Sequence, residues 1–185
     1  LKDVAKSNSK VVAHADKAIS LEDLDAKSRP QQLLIFKRFL KIENHRIKLA
    51  HRSGVSGFEI ASRRAELIDL VLKRIFDDAF RKLSAKGAIP PIALLAVGGY
   101  GRGVLNPGSD IDILFLSTTS TRALSKETND AIEKVLYLLW DIGFDVGHSV
   151  RSTKECLAQA KLDFQNFTAM IESRFLAGND ELFAK

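Results

Sequence analysis

The sequence predicts an α+β fold, α/β-like in its element order: a small mixed β-sheet packed with helices and preceded by a helical pair. Three observations predict it. Residues 31–85 repeat apolar side chains at helical spacing; 92–99 and 110–117 are short apolar runs of strand type; and KGAIPP (86–91) separates the two textures with a glycine and two prolines. The 185 residues, 45% hydrophobic and 28% charged, are enough to bury a sizeable core, and 4 prolines and 11 glycines exclude collagen-like or wholly disordered chains.

The elements follow in order. Residues 1–30 mix charges with weak periodicity and read as a partly ordered N-terminal arm with a short helix near 20–27. Pro30 permits a helix start. From Gln31 to about Arg52, Leu33, Phe36, Leu40, Ile47 and Leu49 recur at helical spacing, and SGVSG (53–57) breaks the pattern. A second helix runs from Phe58 to about Ala85, with Ile60, Leu67, Val71, Ile75 and Leu83 in its stripe. Together they make 31–86 a helical lead-in to a core at 87–185. IALLAVGG (92–99) reads as a buried strand ending in glycines, and DIDILFLS (110–117) as its partner after a long turn. Ser125–Ile142 is a helix with Ala131, Val135, Leu138 and Leu139 on one face. FDVGHSVR (144–151) alternates as a third strand. Thr153 caps a further helix whose Cys156, Leu157 and Ala160 face the core, and a last helix runs from Phe164 to Leu176.

Charge narrows the function classes. The net formal charge is +5, but 31–86 holds 13 basic and 6 acidic residues, whereas 87–185 holds 9 and 12. A basic helical segment can meet a polyanion, yet its phenylalanines fall on apolar positions instead of interleaving with the charges, so nucleic acid is an unlikely partner. The single Cys156 excludes an internal disulfide framework; it reads as a small apolar residue. No apolar run reaches membrane-span length, and LKDVAKSNSK has no signal-peptide pattern, so a cytoplasmic location is expected. Leu1 in place of Met marks the chain as a possible fragment.

The chemistry lies in AVGGYGRGVLNPGSDIDILFL (96–116). Asp110 and Asp112 are two apart in a strand and share a face. Two adjacent carboxylates repel unless a cation sits between them, and hard cations such as Mg²⁺ bridge carboxylates to substrate phosphates. Gly98 and Gly99 let backbone N–H groups approach an anion closely. The 11-position gap from Gly99 to Asp110 is enough for the chain to return as the neighbouring strand. The glycines match neither G-x-G-x-x-G nor a Walker loop. Two surface aspartates beside a turn would be the bland alternative.

This segment resembles the DNA polymerase β-type nucleotidyltransferases: Gly-Gly, a turn of about a dozen residues, then Asp-x-Asp in a strand. AVGGYGRG, L-x-P-x-SDIDIL, LLWDIGFDVGHSVR, T-x-E-C and ESRFLAG narrow the resemblance, over residues 90–183, to the N-terminal region of bacterial [protein-PII] uridylyltransferase/uridylyl-removing enzymes. The resemblance implies a nucleotidyltransferase core and transfer of UMP from UTP to a tyrosine of the PII nitrogen-signalling protein, releasing pyrophosphate. It implies that Asp110 and Asp112 are catalytic and hold Mg²⁺, and that Gly98, Gly99, Arg102 and Ser109 contact phosphate; Arg102 equally suits a brace for the turn. Arg151 is a further candidate for phosphate or an ion pair.

Two departures stand out. Val104 takes the place of a usual Glu, and Gly147 the place where the superfamily puts a third carboxylate. Asp145, on the same face by alternation, is the candidate replacement, with Asp163 another and a two-carboxylate site a third possibility. His148 reads as a hydrogen-bonded structural histidine, and Tyr137 and Trp140 as packing residues. The family's longer chain carries a phosphohydrolase and glutamine-sensing domains that cannot fit here. The core is therefore expected to be C-terminally truncated, with weak nucleotide binding and little transfer alone. The competing functions are a nucleotide-binding regulatory module without turnover and a polyanion-binding helical protein.

Overall fold

A computed structural model describes residues 2–84 and 91–184. Two short helices, α1 (Lys2–Ala18) and α2 (Leu21–Asp25), lead into the long helices α3 (Arg29–Arg52) and α4 (Gly57–Ser84). Pro30 sits in the first turn of α3, which Ser28 and Gln31 close with a capping box. The expected break at 86–90 lies outside the described residues.

The arm is a correction. Residues 2–18 form a helix that packs Ala15 into the core, and Ile19 and Leu24 after it are fully buried. A hydrogen bond from His14 to Glu43 on α3 and two ion pairs, Arg74 on α4 to Asp16 and Arg81 to Asp25 on α2, fasten it. The weak periodicity of 1–30 hid this because the docking is polar as much as apolar. Arg74 and Arg81, paired with Asp16 and Asp25 from before residue 31, account for part of the basic excess of 31–86.

The second half supplies the sheet. Strand β1 (Ile92–Ala96) precedes a single helical turn, α5 (Gly98–Gly101), then β2 (Ile111–Ser117), α6 (Lys126–Ile142), β3 (Val146–Ser152), α7 (Thr153–Leu162), α8 (Phe164–Ile171), β4 (Arg174–Gly178) and α9 (Asp180–Phe183). The strand order is β3-β2-β1-β4. β1 lies antiparallel to β2 and β4, and β2 parallel to β3, so the sheet is mixed as expected. Every residue of β1 is buried, which explains its unbroken apolar run.

Both faces of the sheet are covered. Ile92, Leu94, Ile113 and Phe115 join the main core with Phe36, Phe39, Leu67, Val71 and Phe76 of α3 and α4 and Val135 and Leu139 of α6. Ala93, Leu95, Leu114 and Leu116 form a smaller cluster on the other face with Cys156, Met170 and Leu182. Among the described residues no helix is long and apolar enough to cross a membrane.

Four expectations fail locally. The segment expected to be helical through Leu176 ends at Ile171, and 174–178 is a fourth strand. Leu49 and Leu157, placed on core faces, are about half exposed. His148 is exposed on edge strand β3, in a T-shaped ring contact with Trp140 at 5.7 Å between centroids, with no side-chain hydrogen bond among the described residues. The cap of α7 is Ser152, not Thr153: Ser152 accepts from the Glu155 N–H, and Glu155 accepts from the Ser152 N–H at 2.7 Å. Ser152→Ala is expected to cost about 1 kcal/mol, the usual worth of such a cap, read as a lowered urea midpoint at unchanged slope.

Candidate active site

The centre of the site is the meeting of β1, α5 and β2. Backbone pairing brings the two motifs together: the Val97 N–H donates to the Asp112 carbonyl at 3.0 Å, directly before Gly98. Gly98 adopts φ +55°, a left-handed conformation open to glycine, which starts α5 immediately after the strand. The amides of Gly98 and Gly99 open that turn and so have no partner within it. Asp112 Oδ2 lies 3.8 Å from where a Cβ on Gly98 would stand. Carboxylate and glycine turn therefore face one another.

Asp112 is exposed and alternates with Leu114 and Leu116, so it points to the face of the sheet that α7, α8 and α9 partly cover. Asp110 is exposed just before β2. Among the described residues neither side chain has a hydrogen bond or an ion pair. Burial, and then the neighbouring Asp110 charge, push the Asp112 carboxyl above its ordinary range. Two bare, coupled carboxylates form the oxygen-only donor set that suits a hard divalent cation. Removing the neighbouring charge with Asp110→Asn is expected to lower the Asp112 pKa while leaving the burial contribution, which a carboxyl-carbon NMR titration would follow; an unchanged titration would show the two acids to be independent.

The other predicted residues fall as follows. Arg102 stands beside Gly99, with Nη2 3.4 Å from the position of a Cβ there, and donates from Nη1 to Glu172 Oε2 at 2.7 Å. It braces the turn against the end of α8. Ser109 is exposed in the last turn before Asp110, its N–H donating to the Asn106 carbonyl. Arg151 pairs in register with Leu116, four residues beyond Gly147, or about 13 Å along the strand. Its Nη1 donates to Asn166 on α8, and the structure does not bring it to the carboxylates.

No third carboxylate joins the pair: among the described residues no three His, Cys, Asp or Glu side chains are grouped to hold a metal. Asp145 is exposed, and its carbonyl accepts the Ile111 N–H at 2.9 Å. Asp163 is used as the cap of α8, accepting from the Gln165 N–H. Gly147 lies opposite Asp112, and a Cβ there would run into Asp112 Oδ1. That glycine, read from the sequence only as a missing acid, makes the room that the Asp112 carboxylate occupies. Cys156 is buried with its thiol pKa raised by burial, in keeping with a packing role.

Sequence reasoning missed the support behind the turn. Tyr100, fully buried, donates from Oη to Asp69 on α4, which also takes two bonds from Arg174 on β4. The signal available was Tyr100 itself, a large aromatic inside a glycine turn.

Residues 72–176 match the family model described as a nucleotidyltransferase domain. The chain is 39% identical, over 86% of its length, to a bifunctional uridylyltransferase/uridylyl-removing enzyme of Pseudomonas fluorescens (strain Pf-5). It is 38% identical to proteins of the same name from Nitrosococcus oceani, over 82% of its length, and Rhodopseudomonas palustris, over 70%. It spans only 17%, 16% and 14% of those relatives.

Proposed function

We propose, from the premise that this chain belongs to the nucleotidyltransferase domain family, that it transfers UMP from UTP to a tyrosine hydroxyl of a PII nitrogen-signalling protein in the cytoplasm. The observation that carries the reading is the bare pair Asp110 and Asp112 facing the Gly98–Gly99 turn. The uridylyl group comes from the name of the relatives, and the PII acceptor from the motif resemblance of the sequence.

Asp110 and Asp112 would hold Mg²⁺, which supplies charge neutralisation for the triphosphate and a lowered pKa for the attacking hydroxyl. The chain's own groups do the positioning. The Gly98 and Gly99 amides hold the leaving phosphates, and Arg102, beside Gly99, supports the turn through Glu172. Ser109 stands at the mouth of the site next to Asp110. The tyrosine oxygen bonds to the α-phosphorus as its bond to the β-bridging oxygen breaks. That electron pair leaves with pyrophosphate, and the phenolic proton goes to solvent.

The experiment is transfer of label from [α-³²P]UTP to a PII protein, with [γ-³²P]UTP as the control that must label only pyrophosphate. Label on PII tyrosine from the α position alone supports the reading; label from the γ position would make the protein a kinase. A nucleotide-binding regulatory module is the second reading, favoured by the missing third acid among the described residues. It predicts Mg²⁺-dependent UTP binding with no labelling either by this chain or by the longer protein that contains it.

A further inference from the structure

The glycine turn that faces Asp112 is held by three groups that bond to one another and to the turn's own backbone. Tyr100 is 1% exposed, and its hydroxyl donates to Asp69 Oδ1 at 2.5 Å. Arg174 donates from Nη1 to Asp69 Oδ2 at 2.6 Å and from Nη2 to Oδ1 at 3.1 Å, a bidentate pair. The same guanidinium reaches the turn itself: Nε donates to the Gly101 carbonyl at 3.3 Å and Nη2 to the Tyr100 carbonyl at 3.4 Å. Its carbon lies 5.6 Å from the centre of the Tyr100 ring. Each partner comes from a different element: Asp69 from the long helix α4, Arg174 from β4, and Tyr100 from α5.

A turn of four residues holds its own direction weakly: its Tyr100 carbonyl accepts the Gly103 N–H at 3.1 Å, but no continuing helix receives its terminal carbonyls in full. Here Arg174 receives two of them, and Asp69 balances Arg174's charge and orients its fork. The opposite end of the same turn presents the Gly98 and Gly99 amides. Tilting the carbonyl end tilts the amides with it.

We propose that Asp69, Arg174 and Tyr100 are positioning residues for triphosphate binding, fixing the direction of the Gly98–Gly99 amides without touching the nucleotide. The proposal rests on the reading of that turn as the phosphate cradle. It requires the penalty for breaking the network to fall on the phosphates and not on the nucleoside.

The test measures affinity of the chain for Mg²⁺–UTP and for UMP by calorimetry, in Arg174→Lys, Tyr100→Phe and Gly98→Ala, with thermal melts in parallel. Arg174→Lys keeps the charge and loses the fork; it is expected to weaken Mg²⁺–UTP about tenfold and UMP less than twofold. Tyr100→Phe, the smallest deletion and the safeguard if Arg174→Lys does not fold, is expected to weaken Mg²⁺–UTP about threefold with the same selectivity. A merely structural role would lower the melting temperature and both affinities in equal ratio, and that result overturns the proposal. If Gly98→Ala loses Mg²⁺–UTP while the two network variants bind as the native chain does, the cradle stands and the positioning role fails. If Gly98→Ala also binds normally, or the native chain does not prefer UTP to UMP, the cradle reading falls and takes the proposal with it.

Discussion

Asp110→Asn/Asp112→Asn is expected to abolish the metal-dependent part of UTP affinity and to raise metal-free affinity slightly. The opposite signs follow from the electrostatics. With Mg²⁺ present the two carboxylates would anchor the cation that meets the triphosphate. Without it they are bare anions, already close enough for one to raise the pKa of the other, and they repel an incoming triphosphate. On the scale of hydrogen bonds to charged groups, about 1.5–3 kcal/mol each, losing both charged contacts removes about 3 kcal/mol or more, a hundredfold weaker binding. Calorimetric titration with and without Mg²⁺, on the native chain and the double variant, reads both signs. Equal affinities in the presence of metal would remove Asp110 and Asp112 from the site.

Gly101→Ala is expected to be the most damaging conservative change near the site. A Cβ there would run into the carbonyl oxygen of Glu172, with the Glu172 carbonyl carbon at 2.9 Å and the Ala96 carbonyl oxygen at 3.2 Å. All three are backbone atoms, held by β1 on one side and the end of α8 on the other, so no rotamer relieves the contact. The strain costs about 3 kcal/mol, at the upper end of ordinary overpacking, and lowers the melting temperature by roughly 6–12 °C. Because Glu172 also carries Arg102, nucleotide affinity falls with it. Gly57→Ala is the control: nothing lies within 4 Å of its added Cβ, at the start of α4. Differential scanning calorimetry compares the two, and equal melting temperatures would show that α8 can withdraw freely from the turn.

Elements whose signal is local and apolar were legible in the sequence. The helical stripe of α4 and the Ser125–Ile142 helix were read nearly to the residue, and the start of β1 with them, although that strand ends at Ala96 and its expected glycine end begins α5; burial on one or both faces writes directly into residue type. The Gly98–Gly99 turn and Asp-x-Asp pair were legible for the same reason: their geometry admits few residue types. What escaped depends on distant partners. β4 looked helical because Arg174–Gly178 is short and its pairing with β1 is interrupted by a bulge between Leu94 and Leu95. The bulge also sends both Leu176 and Ala177 into the main core, which spoils the alternation a strand would show. Asp69 carries no signal in the sequence, since its partners lie 31 and 105 positions away. Arg151 was placed by strand parity alone; parity gives the face and says nothing of the distance along it.

The glycine beneath Asp112 has an evolutionary consequence. Glycine and aspartate codons differ by a single base, so an acid at position 147 is one step away for this gene. That step asks the Asp112 carboxylate to turn: the new Cβ would stand where its Oδ1 now lies, and no backbone atom is in the way. A third acid is therefore reached through a rotation of Asp112, an exposed side chain, and its arrival would re-seat the carboxylate it joins.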